Sequence, residues 1–285
     1  MNTKRSDAPS NLRRWKRGSV TLHASRAARF VRVQRAVANT VIGQMLPPGV
    51  VKGGTAIKLR VGEHATRFTL DFDAARDADV ELDEYLDQLA DTLAAGWNGF
   101  TGTVEELEPA QPEGIPEEYV MQPFLIRLAY RGRHWLSVTF ELGRDEIGST
   151  QNHDARIASD LVELFEKLAL PVPNPVPLLA LDHQIAQKLH ACTSQGRVTG
   201  GNDRAHDLVD LQILLQDETV DRIAVGVTGR RLFAARRSQA WPPVVVEYPS
   251  WAMIYAEAAD GLDVIANVAD AVVWANEFIE STGGM

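Results

Sequence analysis

The chain has 285 residues, 45% of them apolar and 24% charged, with a formal net charge of −9. That length and composition suit one large or two modest globular domains with real cores and exclude intrinsic disorder. A single cysteine, Cys192, excludes an intramolecular disulfide, and no run of about 18 apolar residues is available to span a bilayer.

The charge is unevenly spread. Residues 1–35 hold ten Lys/Arg against one acidic residue, which leaves 19 against 37, a formal −18, on the rest of the chain. Arg13, Arg14, Trp15, Lys16 and Arg17 set an aromatic ring among cations. Arg26, Arg29, Arg32 and Arg35 then recur every three residues along a predicted helical region that reaches about Leu46, where Pro47-Pro48-Gly49 stops it. Such a row can track RNA phosphates while Trp15 stacks on a base; an arm that merely offsets the acidic body weighs equally. No apolar core follows the basic start, so secretion is not expected, and the lone thiol suits a reducing cytoplasm.

Lys52-Gly53-Gly54-Thr55-Ala56 comes next, opening a predicted helix. Glycines at a helix mouth let backbone N–H groups approach a polyphosphate, the helix N-terminus adds partial positive charge, and Thr55 offers a hydroxyl. The run Arg67 to Asp73 alternates as a strand does, with Phe68, Leu70 and Phe72 on one face and Thr69, Asp71 and Asp73 on the other. An Asp-x-Asp pair alone is more often a solvated acidic pair. On such a strand it aims two carboxylates at one point, an arrangement that suits Mg²⁺. Thr69 shares that face, so a phosphate placed on it would set a dianion beside the carboxylates and act as an off switch.

Leu82, Tyr85, Leu86, Leu89 and Leu93 make a helical stripe that Gly96 ends, expected to cover a sheet. Residues 124–130 and 135–141 read as a hairpin turning at Arg131-Gly132-Arg133-His134 and lying beside the Asp71/Asp73 strand. Glu141 then becomes the third carboxylate on one sheet face, as ligand or as base; a charge that simply terminates an edge strand has even odds. Ile157, Leu161, Leu164 and Leu168 signal another helix, and Pro171 to Pro177 forms a stiff connector. The domain boundary is expected there, with residues 1–170 holding the arm and sheet and residues 171–285 mostly helical.

On a helix from about Asp182 to Cys192, Ile185, Leu189 and Cys192 form the apolar stripe and Lys188 its border. Lys188 either reaches a β- or γ-phosphate as a point charge or snorkels over apolar surface. Arg204, Asp207 and Asp210 share one side of the following helix, as an ion-paired row or with Asp210 orienting Lys188 and the other two in support. His190 and His206 lack zinc-ligand spacing and read as structural or phosphate-adjacent. Trp241-Pro242-Pro243 separates these helices from a terminal pair beginning near Trp251 and Leu262.

Four ordered motifs carry a family resemblance: Lys52-Gly53-Gly54-Thr55-Ala56, Asp71-Phe72-Asp73, Gln187-Lys188-Leu189-His190-Ala191, and Arg204 to Leu211. Over roughly residues 50–215 they resemble the AbiEii/MenT nucleotidyltransferase toxins, most closely the mycobacterial MenT branch, with Thr55 where nucleotidyltransferases generally have serine. The resemblance implies an α+β fold: a polymerase-β-type mixed sheet with flanking helices and a mostly helical C-terminal domain. It implies transfer of NMP from an NTP, expected to be a pyrimidine, to the 3′ end of tRNA, blocking aminoacylation, and a cognate antitoxin as partner. On that reading Asp71, Asp73 and Glu141 hold two Mg²⁺ ions. Lys52, Gly53, Gly54, Thr55, Lys188, Arg204 and Asp207 meet the nucleotide, with Lys188 and Asp210 in the catalytic set. The motifs leave the oligomeric state open, with a monomer as one reading. Nucleotidylation of a protein side chain and a non-catalytic nucleotide-binding module are the alternatives.

Overall fold

The computed structural model describes residues 24–109, 120–194, 201–217 and 219–283. The basic run Arg13 to Arg17 lies outside the described residues. Helix α1 (Ala24–Gly43) leads into β1 (Gly49–Lys52), α2 (Gly53–Val61), β2 (Phe72–Arg76), α3 (Leu82–Ala95), β3 (Phe100–Glu106), β4 (Gln122–Tyr130) and β5 (Arg133–Arg144). Strand β6 (His153–Arg156), α4 (Ser159–Lys167) and β7 (Val176–Leu179) complete one seven-stranded mixed sheet in the order β3-β4-β5-β2-β1-β7-β6. The rest is helical: α5 (Leu181–Thr193), α6 (His206–Leu215), α7 (Arg222–Arg236), α8 (Trp251–Ala259) and α9 (Val268–Gly283). The class is α+β, as expected.

Apolar side chains divide into two main clusters. The larger lies on the sheet under α1, α3 and α4, with Phe72, Phe124, Val138, Phe140, Leu89 and Phe165 fully enclosed. The second joins α5 to α9 through Leu189, Leu208, Phe233, Trp251 and Phe278. Helix α2 is shared. Ala56 and Leu59 enter the sheet core while Ile57 enters the helical one, so the helix mouth sits at the seam.

Several expectations hold in detail. The hairpin forms with Arg131-Gly132 at its tip, both at positive φ as a tight primed turn requires. Strand β5 pairs parallel with β2, placing Glu141 directly opposite Asp73. Helix α3 buries Tyr85, Leu89 and Leu93 and ends at Gly96, φ +77.

Others need correction. Strand β2 begins only at Phe72, and residues 67–71 are irregular, with Leu70 55% exposed; Arg67 is drawn out of any strand register towards α6. Thr69 is therefore a loop residue rather than a member of the Asp71 strand face. The sheet also continues beyond the proline connector, because β7 pairs with β1 and β6. In the α1 row, Arg32 is engaged with Glu63 at 2.9 Å and Arg35 donates to the Ser137 carbonyl at 3.3 Å. Both serve internal packing. Helix α7 was not anticipated, and the last helix starts at Val268 rather than near Leu262.

Candidate active site

Helix α2 opens on Gly53-Gly54 with no side chain capping its first turn, leaving backbone N–H donors free for an anion. Gly53 has φ +63, and a β-carbon there would stand 1.9 Å from Asp73 Oδ2. The carboxylate is seated against the glycine backbone. Only glycine tolerates both the backbone conformation and that approach.

Lys52, Asp73 and Glu141 form one cross-strand row over β1, β2 and β5. Burial raises the proton affinity of Asp73, and the negative charge of Asp71 adds to the effect against the opposing pull of Lys52 and Lys188. Burial also raises Glu141, followed by repulsion from Asp73 and Asp71. Asp73 and Glu141 thus share a field that disfavours their own charge, which a cation would relieve. The Lys52 ammonium runs back along the row to Met121 Sδ at 3.2 Å, through space that Gly143 leaves open. Burial lowers its proton affinity against the pull of Glu146, Asp73 and Glu141.

Asp71 stands just before β2 with an exposed side chain, and its backbone is fixed from below. Thr55 Oγ1 donates to the Asp71 carbonyl at 2.8 Å and accepts from Asn39 Nδ2 at 3.2 Å. The Thr55 side chain is fully buried. Its hydroxyl proton is committed to the Asp71 carbonyl in this structure, so Thr55 holds the backbone of Asp71. Asn39 had no signal in the sequence pattern.

Facing the row from the helical cluster, Lys188 is buried on α5 rather than lying at a border. Its Nζ contacts Asp207 Oδ1 at 2.6 Å and Asp210 Oδ2 at 2.7 Å. Burial opposes its charge, but the two aspartates outweigh it and the net shift is upward. Asp210 is held far below the ordinary carboxylate range because Lys188 and Arg67 outweigh burial. Asp207 is an equal partner of Lys188, not a support, and also accepts from Arg204 Nε at 2.7 Å. The Arg204 side chain remains half exposed, and its charge reaches Asp73 and Glu141. Arg67 forks onto Asp210, Nε to Oδ1 and Nη2 to Oδ2, both at 2.9 Å. The only trace of this role in the sequence is its place at the head of the Asp71-Phe72-Asp73 run.

The histidines are structural. His190 accepts from Arg236 at Nδ1 and meets Ser238 at Nε2, and burial followed by the Arg236 charge pushes it down to about 3. His206 lies 3.7 Å from Asp207, but burial lowers it to about 4, so at neutral pH the contact is no ion pair. Arg236 also pairs with Glu146 at 2.7 Å, tying α7 to the segment after β5.

A family model described as "Nucleotidyl transferase AbiEii toxin, Type IV TA system" matches residues 42–260. Among solved structures, the chain is similar to MenT4, a nucleotidyltransferase toxin from Mycobacterium tuberculosis H37Rv. The two are 15% identical with a TM-score of 0.52, covering 92% of this chain and 98% of that one. At that identity the likeness concerns the fold. The curated proteins contain no match.

Proposed function

Because the chain belongs to the AbiEii family of nucleotidyltransferase toxins, we propose that it transfers NMP from an NTP, a pyrimidine by expectation, to the 3′ end of tRNA and so blocks aminoacylation. A cognate antitoxin is its expected partner. The observation that carries the reading is the seat of Asp73 against Gly53, opposite Glu141. It brings two carboxylates to the mouth of a helix whose first-turn donors suit a triphosphate.

Among the described residues, no three His, Cys, Asp or Glu side chains converge tightly enough to hold an ion by themselves. The donor set nonetheless fits Mg²⁺, which takes one or two carboxylates and fills its shell with water and phosphate oxygens. Asp73 and Glu141, with Asp71 beside them, are the residues that would hold it. When bound it supplies charge neutralisation at the reacting phosphate.

The chain's own groups perform the rest. The Gly53 and Gly54 backbone donors and the cationic face of Lys188 and Arg204 hold the triphosphate, with Lys52 at the end of the carboxylate row. Glu141, where it acts as base instead of holding the cation, takes the proton from the acceptor hydroxyl. The hydroxyl oxygen bonds to the α-phosphorus as the bond to the β-phosphate oxygen breaks, and pyrophosphate leaves with that electron pair.

RNA as acceptor is supported by the basic tract, since the remaining −18 repels nucleic acid. The test incubates the protein and Asp71→Ala with each labelled NTP, Mg²⁺, total tRNA and total protein. Label at the tRNA 3′ end with wild type alone supports the proposal, and loss of transfer on raising salt follows from it. Label on protein favours a side-chain acceptor. Transfer to neither refutes catalysis.

A further inference from the structure

Arg67 lies in the irregular segment between α2 and β2, yet its guanidinium is 2.9 Å from each oxygen of Asp210, 143 residues away. Asp210 is 2% exposed, and the oxygen that accepts Arg67 Nη2 also accepts Lys188 Nζ at 2.7 Å. A β-carbon at Gly54 would come within 3.6 Å of Arg67 Nη2, so the fork passes directly over the phosphate loop. Among the described residues' hydrogen bonds and ion pairs, no other side chain joins the segment between α2 and β2 to the Lys188 group.

The charges have a sum. Lys188, Arg67 and Arg204 oppose Asp207 and Asp210, a surplus of one positive charge in a largely buried cluster. Without Arg67 the surplus vanishes. Asp210 would then keep Lys188 as its sole cationic partner and draw the ammonium towards itself. With Arg67 in place, Asp210 is saturated from one side, and Lys188 is held between two carboxylates with one N–H donor to spare.

We infer that Arg67 is a positioning residue for the transfer reaction: its two-pronged bond to Asp210 fixes Lys188 over the Gly53-Gly54 loop and keeps the cluster positive towards the triphosphate. The inference rests on the nucleotidyltransfer reading. It requires the planar fork, because a lysine ammonium supplies the charge but cannot span both oxygens of one carboxylate.

The test compares Arg67→Lys, Arg67→Ala, Asp71→Ala and a control, Arg127→Lys, whose exposed guanidinium pairs with Glu105 on the far strands. The readouts are kcat/KM for the labelled NTP, affinity for a non-hydrolysable NTP analogue, and thermal melts to correct for folded fraction. Misplacing a reacting group by about 1 Å costs about a hundredfold, so Arg67→Lys should lose about that factor in kcat/KM and bind the analogue more weakly, with Arg127→Lys at the wild-type rate. Added methylguanidinium should restore Arg67→Ala but not Arg67→Lys, whose ammonium fills the gap. A purely structural bond would lower the melting temperature and leave kcat/KM per folded molecule unchanged, which overturns the inference. Should Arg67→Ala fail to fold, Arg67→Lys carries the test through the rate and the analogue affinity. Inactive Asp71→Ala beside fully active Arg67→Lys refutes the role of Arg67 alone, whereas active Asp71→Ala refutes the nucleotidyltransfer reading.

Discussion

Replacing Gly53 with alanine should separate the stability of this protein from its activity. The alanine must adopt φ near +63, which costs an L-residue about 1–2 kcal/mol. Its methyl would stand 1.9 Å from Asp73 Oδ2 and 2.7 Å from Cγ, where real contacts stay beyond 3.0 Å. The carboxylate must therefore retreat by at least 1.1 Å, the difference of those distances. Asp73 can rotate away, so the fold survives with a melting temperature lowered by several degrees, at about 2–4 °C per kcal/mol for a chain of this size. The reaction does not survive as well, because a displacement of about 1 Å at a reacting centre costs about a hundredfold.

The contrast is Gly54→Ala, whose methyl would meet the Thr69 hydroxyl at 3.2 Å and whose backbone needs no positive φ. A shift of a few tenths of an ångström in Thr69 accommodates it. Label transfer from NTP, measured per folded molecule for both variants, should show a large loss for Gly53→Ala and a small one for Gly54→Ala. Equal activities would refute the placement of Asp73 as a reacting group.

Thr55→Val removes the hydroxyl that joins Asn39 to the Asp71 carbonyl; leaving those buried partners unpaired should cost about 1–3 kcal/mol, whereas Thr55→Ser should melt near wild type, and indistinguishable melts would reject the relay. Asp210 is held below its ordinary proton affinity, so its stabilisation is complete above about pH 4, its unfolded value, and is lost as pH falls through the lower folded value. The stability gap between wild type and Asp210→Asn should therefore shrink from pH 4 downward; a gap unchanged between pH 6 and pH 2 would contradict the ion pairing. Cys192 is buried and its thiol is pushed up by burial, so a thiol reagent at pH 8 should label it only after unfolding; rapid labelling of the native chain would show α5 to be open.

What the sequence disclosed follows from how local each signal was. The Tyr85-Leu89-Leu93 stripe and the Arg131-Gly132 turn are written in neighbouring residues, so helix and hairpin were legible. The opposition of Asp73 and Glu141 needed only strand parity plus one pairing. The alternation of residues 67–71 was misleading because Arg67 answers to Asp210, a partner that no short window contains. Helix α7 was hidden by Gly226 and Gly229, which weaken a helical signal. Their reason is tertiary: a β-carbon at Gly226 would strike the Thr282 carbonyl at 2.4 Å, and one at Gly229 would meet the Trp241 ring at the same distance. Strand β7 was concealed by the prolines around it. Pro177 sits opposite Ala155 on β6, where its missing N–H is tolerated near the sheet edge.

The departures from ordinary burial converge on one seam. Thr55 and Asp207 are 0% exposed, Asp210 2% and Lys188 7%, although such groups are costly to bury. An apolar replacement of similar volume is often neutral or stabilising at such positions, so fold stability alone does not account for them. They lie on α2, which among the described residues is the helix shared by both clusters, and on α5 and α6. On the sheet side the carboxylate row is negative; on the helical side the Lys188 group carries a positive surplus. On the proposed nucleotidyltransfer reading, a polyanion carrying a cation would meet both faces, the carboxylates holding the cation and the Lys188 group the phosphates. Reversing either face alone would leave the other opposed to its ligand.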